Sequence, residues 1–134
     1  MDAHARSYAF TRSFPGTTVE ELTGRVRQAL ADEGFGVLTE IDVQATLKLK
    51  LGVERKPYLI LGACNPRLAH QALEAEPALG VFLPCNVTLF EGDDGTTYVQ
   101  AIRPAAMFAL VDNPAVQPMA DDVGQRLERV LAAL

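Results

Sequence analysis

The sequence predicts an α+β domain: an antiparallel sheet of about five strands, with helices packed on one face, in the order β-α-β(4)-α with short extra helices. Three observations predict it. Segments whose apolar residues alternate with period two are separated by longer segments whose apolar residues recur at helical spacing. Two β-rich runs flank a reversal rich in Gly and Asp. The chain closes on an amphipathic stripe of about four turns.

Tyr8, Phe10, Arg12 and Phe14 alternate with Ala9, Thr11 and Ser13, which puts the aromatics on one face of a first strand, and Pro15-Gly16 breaks it. Thr17 and Thr18 each precede a glutamate by three residues, Glu20 and Glu21, the spacing at which hydroxyl and carboxylate satisfy orphan amides reciprocally. Val19, Leu22, Val26, Ala29 and Leu30 then form the buried stripe of a helix over about residues 18–33, and Gly34 supplies the permissive backbone that ends it. Phe35, Val37, Thr39 and Ile41 alternate on one side of a second strand that ends at Asp42. Leu47-Lys48-Leu49-Lys50-Leu51 also alternates, but Val43, Leu47 and Leu51 stand four apart between Asp42, a good N-cap, and Gly52, a good stop, so a short helix is expected.

Pro57 to Ala63 is an apolar run of strand length. Asn65-Pro66 starts a helix, because Asn caps free amides and Pro at the first position gives up no needed donor. Leu68, Ala69, Ala72 and Leu73 are its apolar stripe, ending before Pro77. Val81 to Phe90 and Thr96 to Ile102 read as a hairpin closed by Glu91-Gly92-Asp93-Asp94-Gly95. Pro84 cannot donate to a ladder and belongs at an edge or a bulge, with Cys85 beside the irregularity. Pro104 to Val111 is a short helix, and from about Pro118 the residues Met119, Val123, Leu127, Val130, Leu131 and Leu134 mark the last one.

The chain has 134 residues and 14.5 kDa, for which surface scaling gives about 6,900 Å² exposed of about 21,000 Å² unfolded, enough burial for one core. One domain over residues 1–134 is expected. No window reaches the ~20 apolar residues of a membrane-spanning helix and residues 1–6 have no apolar leader, so a soluble, cytoplasmic protein with no membrane partner is expected. The net charge of −5 repels a phosphate backbone, so nucleic acid is not an expected partner. The two cysteines are expected to be free thiols.

The runs Leu61-Gly62-Ala63-Cys64-Asn65-Pro66, followed by Leu68-Ala69, and Leu83-Pro84-Cys85-Asn86-Val87, together with Glu40-Ile41-Asp42-Val43, resemble a bacterial and archaeal family catalogued as domain of unknown function 302. The resemblance spans about Thr17 to Leu134. It implies a fold like that of the TATA-binding-protein class, often dimeric; it implies no activity, and fold likeness to a DNA-binding class is no argument for DNA binding.

Cys64 is the sharpest candidate for chemistry, since it precedes a helix whose free amides and positive dipole end favour a thiolate. Against that stands the tendency of cysteine to be a small buried apolar residue. Cys85 lies 21 residues on, and both cysteines are followed by asparagine, Asn65 and Asn86. If the two converge they suit a dithiol, a soft metal or a transient disulfide, although the Cys-x-x-Cys spacing of strong redox and zinc motifs is missing. His70 completes a Cys, Cys, His set only if its helix face turns back toward the strands, and His4 sits at an end expected to fray, so no metal centre is expected. Asn65 and Asn86 can orient a polar ligand, but Asn65 is already explained as a cap and Asn86 as the partner of a strand irregularity. Lys48, Lys50, Arg55 and Lys56 form the one basic cluster, of the kind usually solvated. Phosphate-loop, nucleophile-elbow and His-Glu-x-x-His patterns are missing from the sequence.

Two functions follow as expectations. The first is a homodimeric module that binds a small ligand or a partner in a pocket near Cys64, Asn65, Cys85 and Asn86, the second copy covering the sheet face that the helices leave bare. The second is thiol or metal chemistry at Cys64 and Cys85. No cofactor is specified by either.

Overall fold

Strand β1 (Ala9–Phe14) is followed by helix α1 (Val19–Asp32), strand β2 (Gly36–Asp42), helix α2 (Val43–Leu51), strand β3 (Tyr58–Cys64), helix α3 (Pro66–Ala75), the hairpin β4 (Cys85–Glu91) and β5 (Thr97–Ile102), helix α4 (Pro104–Phe108) and helix α5 (Gln117–Ala132). This computed structural model describes residues 4–134. The strands form one sheet in the order β1-β5-β4-β3-β2, every neighbour antiparallel. The expected α+β architecture is the observed one.

Local chemistry accounts for the helix limits. Thr18 is the N-cap of α1, its hydroxyl accepting from the Glu21 amide at 3.1 Å. Past its end Gly34 adopts φ +85°, and the Phe35 amide reaches back to the Leu30 carbonyl at 2.9 Å. Asp42 caps α2 through the Ala45 amide and Gly52 ends it at φ +66°, so the short helix is formed where alternation alone would have allowed a strand.

One face of the sheet carries the core. Register places Leu61 beside Val87, Val87 beside Ala101 and Leu89 beside Val99, all fully buried. Leu22, Val26 and Leu30 of α1 and Leu127, Val130 and Leu131 of α5 close over them. Each such side chain contributes roughly 1.5–3 kcal/mol by leaving water. A second cluster of Ala72, Leu79, Phe108, Val116 and Ala120 joins α3, α4 and the start of α5.

Three expectations need correction. The alternation of Phe35, Val37, Thr39 and Ile41 does not hold on one face. Val37 pairs with Ala63 but Thr39 pairs with Gly62, so Leu38 is an extra residue, and beyond it Thr39 and Ile41 take the far face while Glu40 turns to α1 and pairs with Arg27 at 2.9 Å. The run Val81 to Phe90 is not one strand, because Pro77–Phe82 is a 3-10 turn and β4 begins only at Cys85. Pro84 therefore stands just ahead of a strand between two neighbours, joined to Leu83 by a cis bond, where no ladder donor is needed. His4, expected to fray, sits edge-on to Tyr98 and Phe90, with ring centroids 4.4 and 5.0 Å away, and its carbonyl accepts from the Gln100 amide at 2.8 Å. The far sheet face, expected to await a second copy, is thus partly covered by the chain's own first described residues.

Candidate functional site

The end of β3, the start of β4 and helices α3, α4 and α5 meet around a cavity of about 40 Å³. Cys64, Asn65 and Cys85 line it, together with Phe35, Leu68, Ala72, Pro84, Phe108, Met119 and Val123. The strand register makes the meeting of the two cysteines unavoidable. Ala63 pairs with Cys85, so Cys64 is the next residue of β3 along from that pair. Gly62, one pair further in, is demanded by packing: a Cβ there would collide with Thr39 Oγ1 and lie 2.8 Å from Pro84 Cγ, and Pro84 is itself a cavity wall.

Asn65 sits at the mouth as the N-cap of α3, its Oδ1 accepting from the Leu68 amide at 3.3 Å. Its amide group faces Gly34, at which a Cβ would lie 3.0 Å from Asn65 Nδ2. Asn86 does not join the other three. It pairs with Gly62 on the far side of the sheet and borders a shallow depression with Tyr58, Thr88 and Gln100. Strand alternation is the reason: one residue beyond Cys85 points the other way. His70 is exposed on α3 and does not line the cavity, so the Cys, Cys, His set is not assembled.

The electrostatics run against a reactive thiolate. Cys85 is 7% exposed, and burial, reinforced by the neighbouring Cys64 charge, pushes its thiol up to about 11. Burial also raises the Cys64 thiol, the opposite direction to the lowering that the sequence suggested from the start of α3. Both cysteines are free.

The basic cluster is largely engaged: Lys48 pairs with Glu54, Lys56 reaches the Gly92 carbonyl at 3.2 Å, and the Arg55 guanidinium lies 5.0 Å from the Tyr58 ring centre. Sequence reading missed the cavity's walls from α4 and α5, since nothing local in Phe108, Met119 or Val123 tells that three helices converge on the cysteines. It also missed a wide groove of about 650 Å³ between α1 and the start of β3, lined by Thr23, Arg27, Glu40, Asp42, Gln44 and Tyr58. The capping residues and the exposed Arg27–Glu40 pair account for these groups without a ligand.

Comparison with known proteins bears on the whole chain. The family model described as "Domain of unknown function DUF302" matches residues 10–134. A crystal structure of an uncharacterized conserved DUF302 protein from Bacillus stearothermophilus superposes with a TM-score of 0.87 at 30% identity, covering 96% of this chain and 98% of that one. Among curated proteins none matches. With the matched span and the shared fold in agreement, the chain belongs to the DUF302 family.

Proposed function

We propose that the protein is a homodimeric binding module that takes a small ligand at the cavity formed around Cys64 and Cys85. The observation that carries this reading is the cavity itself. Protein interiors pack to crystal-like density, and an apolar space of about 40 Å³ kept between the two sheet-end cysteines and three helices is an exception to that packing. Its lining contains no histidine, carboxylate, lysine or arginine to serve as general acid or base, which favours binding over catalysis. Water needs several polar partners, which these walls do not offer, so the space suits a compact apolar or soft group. The raised thiol values favour this reading over a redox thiol.

The dimer has separate support. Of the large apolar residues left exposed, Leu38, Ile41, Leu49, Leu51 and Val53 fall in one stretch, β2 to just past α2, with Leu49 85% and Leu51 70% exposed. Edge strand β2 and helix α2 therefore supply the apolar surface that the far sheet face, partly covered by His4, does not. The acidic net charge of −5 favours a partner other than nucleic acid.

Two measurements test the reading. Ligand binding raises the melting temperature by mass action, so screening with compact probes such as xenon and methanethiol, sized for a space of about 40 Å³, is expected to give saturable shifts that Ala69→Leu, which fills the cavity, removes. Light scattering is expected to give twice the chain mass, falling to the single-chain mass in Leu49→Lys/Leu51→Lys. Flat melting curves for all probes, or monomer mass for the parent at micromolar concentration, would refute the corresponding half.

A further inference from the structure

Three of the five sulfur atoms of the chain, those of Cys64, Cys85 and Met119, line one small cavity. We propose that this cavity is a cuprous-ion site, with the Cys64 and Cys85 sulfurs as the two principal ligands and the Met119 thioether as the third. The inference rests on the reading of the cavity as the binding site and names the class of ligand it takes.

Ligand chemistry narrows the choice. Thiolate and thioether donors select soft ions, cuprous copper above all, whereas magnesium and calcium require oxygen ligands and structural zinc requires four donors from Cys, His or carboxylate. The lining offers two thiols and one thioether, and its only polar side chain, Asn65, is spent as the cap of α3. Among the described residues no three His, Cys, Asp or Glu come together, so the site can reach three donors only through methionine. Cuprous copper accepts such low coordination. A space of about 40 Å³ holds one ion without a hydration shell.

The surroundings fit the charge of the product. Copper(I) replaces the protons of both thiols, two Cu–S bonds form as two S–H bonds break, two protons pass to solvent, and the copper stays monovalent. The resulting bis-thiolate carries a net charge of −1. Cys64 directly precedes Asn65 and α3, whose positive end faces that charge. Cys64 and Met119 are half-buried and offer the entry, while Cys85 is buried.

The test is anaerobic titration of the reduced full-length protein with copper(I) as its acetonitrile complex, using bicinchoninate as competitor and an ultraviolet thiolate-to-copper band as a second readout. One ion per chain is expected, held against the competitor, with the slow alkylation of Cys64, the accessible thiol of the pair, abolished on loading. Cys64→Ala and Cys85→Ala are expected to lose the band. Met119→Leu conserves volume and fold, and is expected to weaken binding by about tenfold, in the range by which supporting groups tune metal sites. Equal copper binding by parent and by Cys64→Ala/Cys85→Ala would place the ion elsewhere and overturn the proposal, as would copper that Met119→Leu holds as tightly as the parent. No copper binding alongside saturable shifts with xenon would overturn the copper site and leave the apolar cavity standing; failure of both would remove both.

Discussion

Arg12 of β1 and Leu131 of α5 are joined by a hydrogen bond of 2.7 Å from the guanidinium Nη1 to the Leu131 carbonyl, and the same nitrogen reaches the Leu134 carbonyl at 2.8 Å. A cation from the first strand thus bonds carbonyls at the end of the last helix, where its dipole is negative, and the Leu131 carbonyl accepts from the Leu134 amide as well. Arg12 shares its sheet side with Phe10 and Phe14, so the charge is held over the edge of the core, and its guanidinium lies 4.8 Å from the Phe14 ring centre.

Arg12→Ala is therefore expected to lower unfolding free energy by about 1–3 kcal/mol, the range for the loss of hydrogen bonds to a charged group. Urea denaturation of parent and variant measures it. An unchanged midpoint would mean that water replaces the guanidinium there without loss.

Gly62→Ala is expected to destabilise more than a glycine-to-alanine change in a strand ordinarily does. The backbone at Gly62 is extended, so strain is not the cause; the added methyl meets Thr39 Oγ1 and Pro84 Cγ. Overpacking of this kind costs about 1–3 kcal/mol. The double variant Gly62→Ala/Thr39→Ala, which removes the clashing Oγ1, should recover part of the loss in thermal melts, and no recovery would assign the cost to Pro84.

Much of the fold is legible in sequence because its signals are local. Thr18, Asp42 and Asn65 cap helices through their own side chains, and Gly34 and Gly52 end them at positive φ, so element order follows from short-range chemistry. The bulge at Leu38 is not legible, because leucine suits either face and only pairing with Ala63 and Gly62 reveals the extra residue. The same division holds at the site. Cys64, Asn65 and Cys85 stand in marked motifs and do come together, but Asn86 shares the motif and faces away, and Met119 has no motif at all. Their grouping depends on strand parity and on where α5 crosses, which are tertiary facts.

The Cys85 thiol carries a sign for pH dependence. Its value rises from 9.0 to about 11 on folding, so the folded state holds the proton more tightly than the unfolded one. The contribution is fully present below pH 9 and is lost as pH rises toward about 11, at a limit of roughly 2–3 kcal/mol by linkage. Unfolding free energy of the parent should fall between pH 9 and 11 more steeply than that of Cys85→Ala. Parallel curves would show that this thiol titrates as it does in the unfolded chain.

The two cysteine-to-serine variants are expected to differ in cost, although the chemical change is the same. Cys85 is buried in the main core cluster and lines the cavity's apolar wall, so a hydroxyl there has little access to water. An unsatisfied hydroxyl costs about 1–3 kcal/mol, and Cys85→Ser should fall in the upper half of that range. Cys64 is half-buried at the strand end, where a hydroxyl can turn toward solvent, so Cys64→Ser should cost about 1 kcal/mol or less. Asn65 already caps α3, so the new hydroxyl adds no cap of its own and no gain in stability offsets that cost. Equilibrium unfolding of both variants in urea, read beside iodoacetamide labelling near neutral pH, checks the pair of claims together. The labelled thiol in the parent should be Cys64, slow because burial disfavours its thiolate, and labelling should vanish in Cys64→Ser while persisting in Cys85→Ser. Equal costs, or labelling that survives in Cys64→Ser, would mean that Cys85 opens to solvent as readily as Cys64, and the cavity would then be a transient feature of the sheet end.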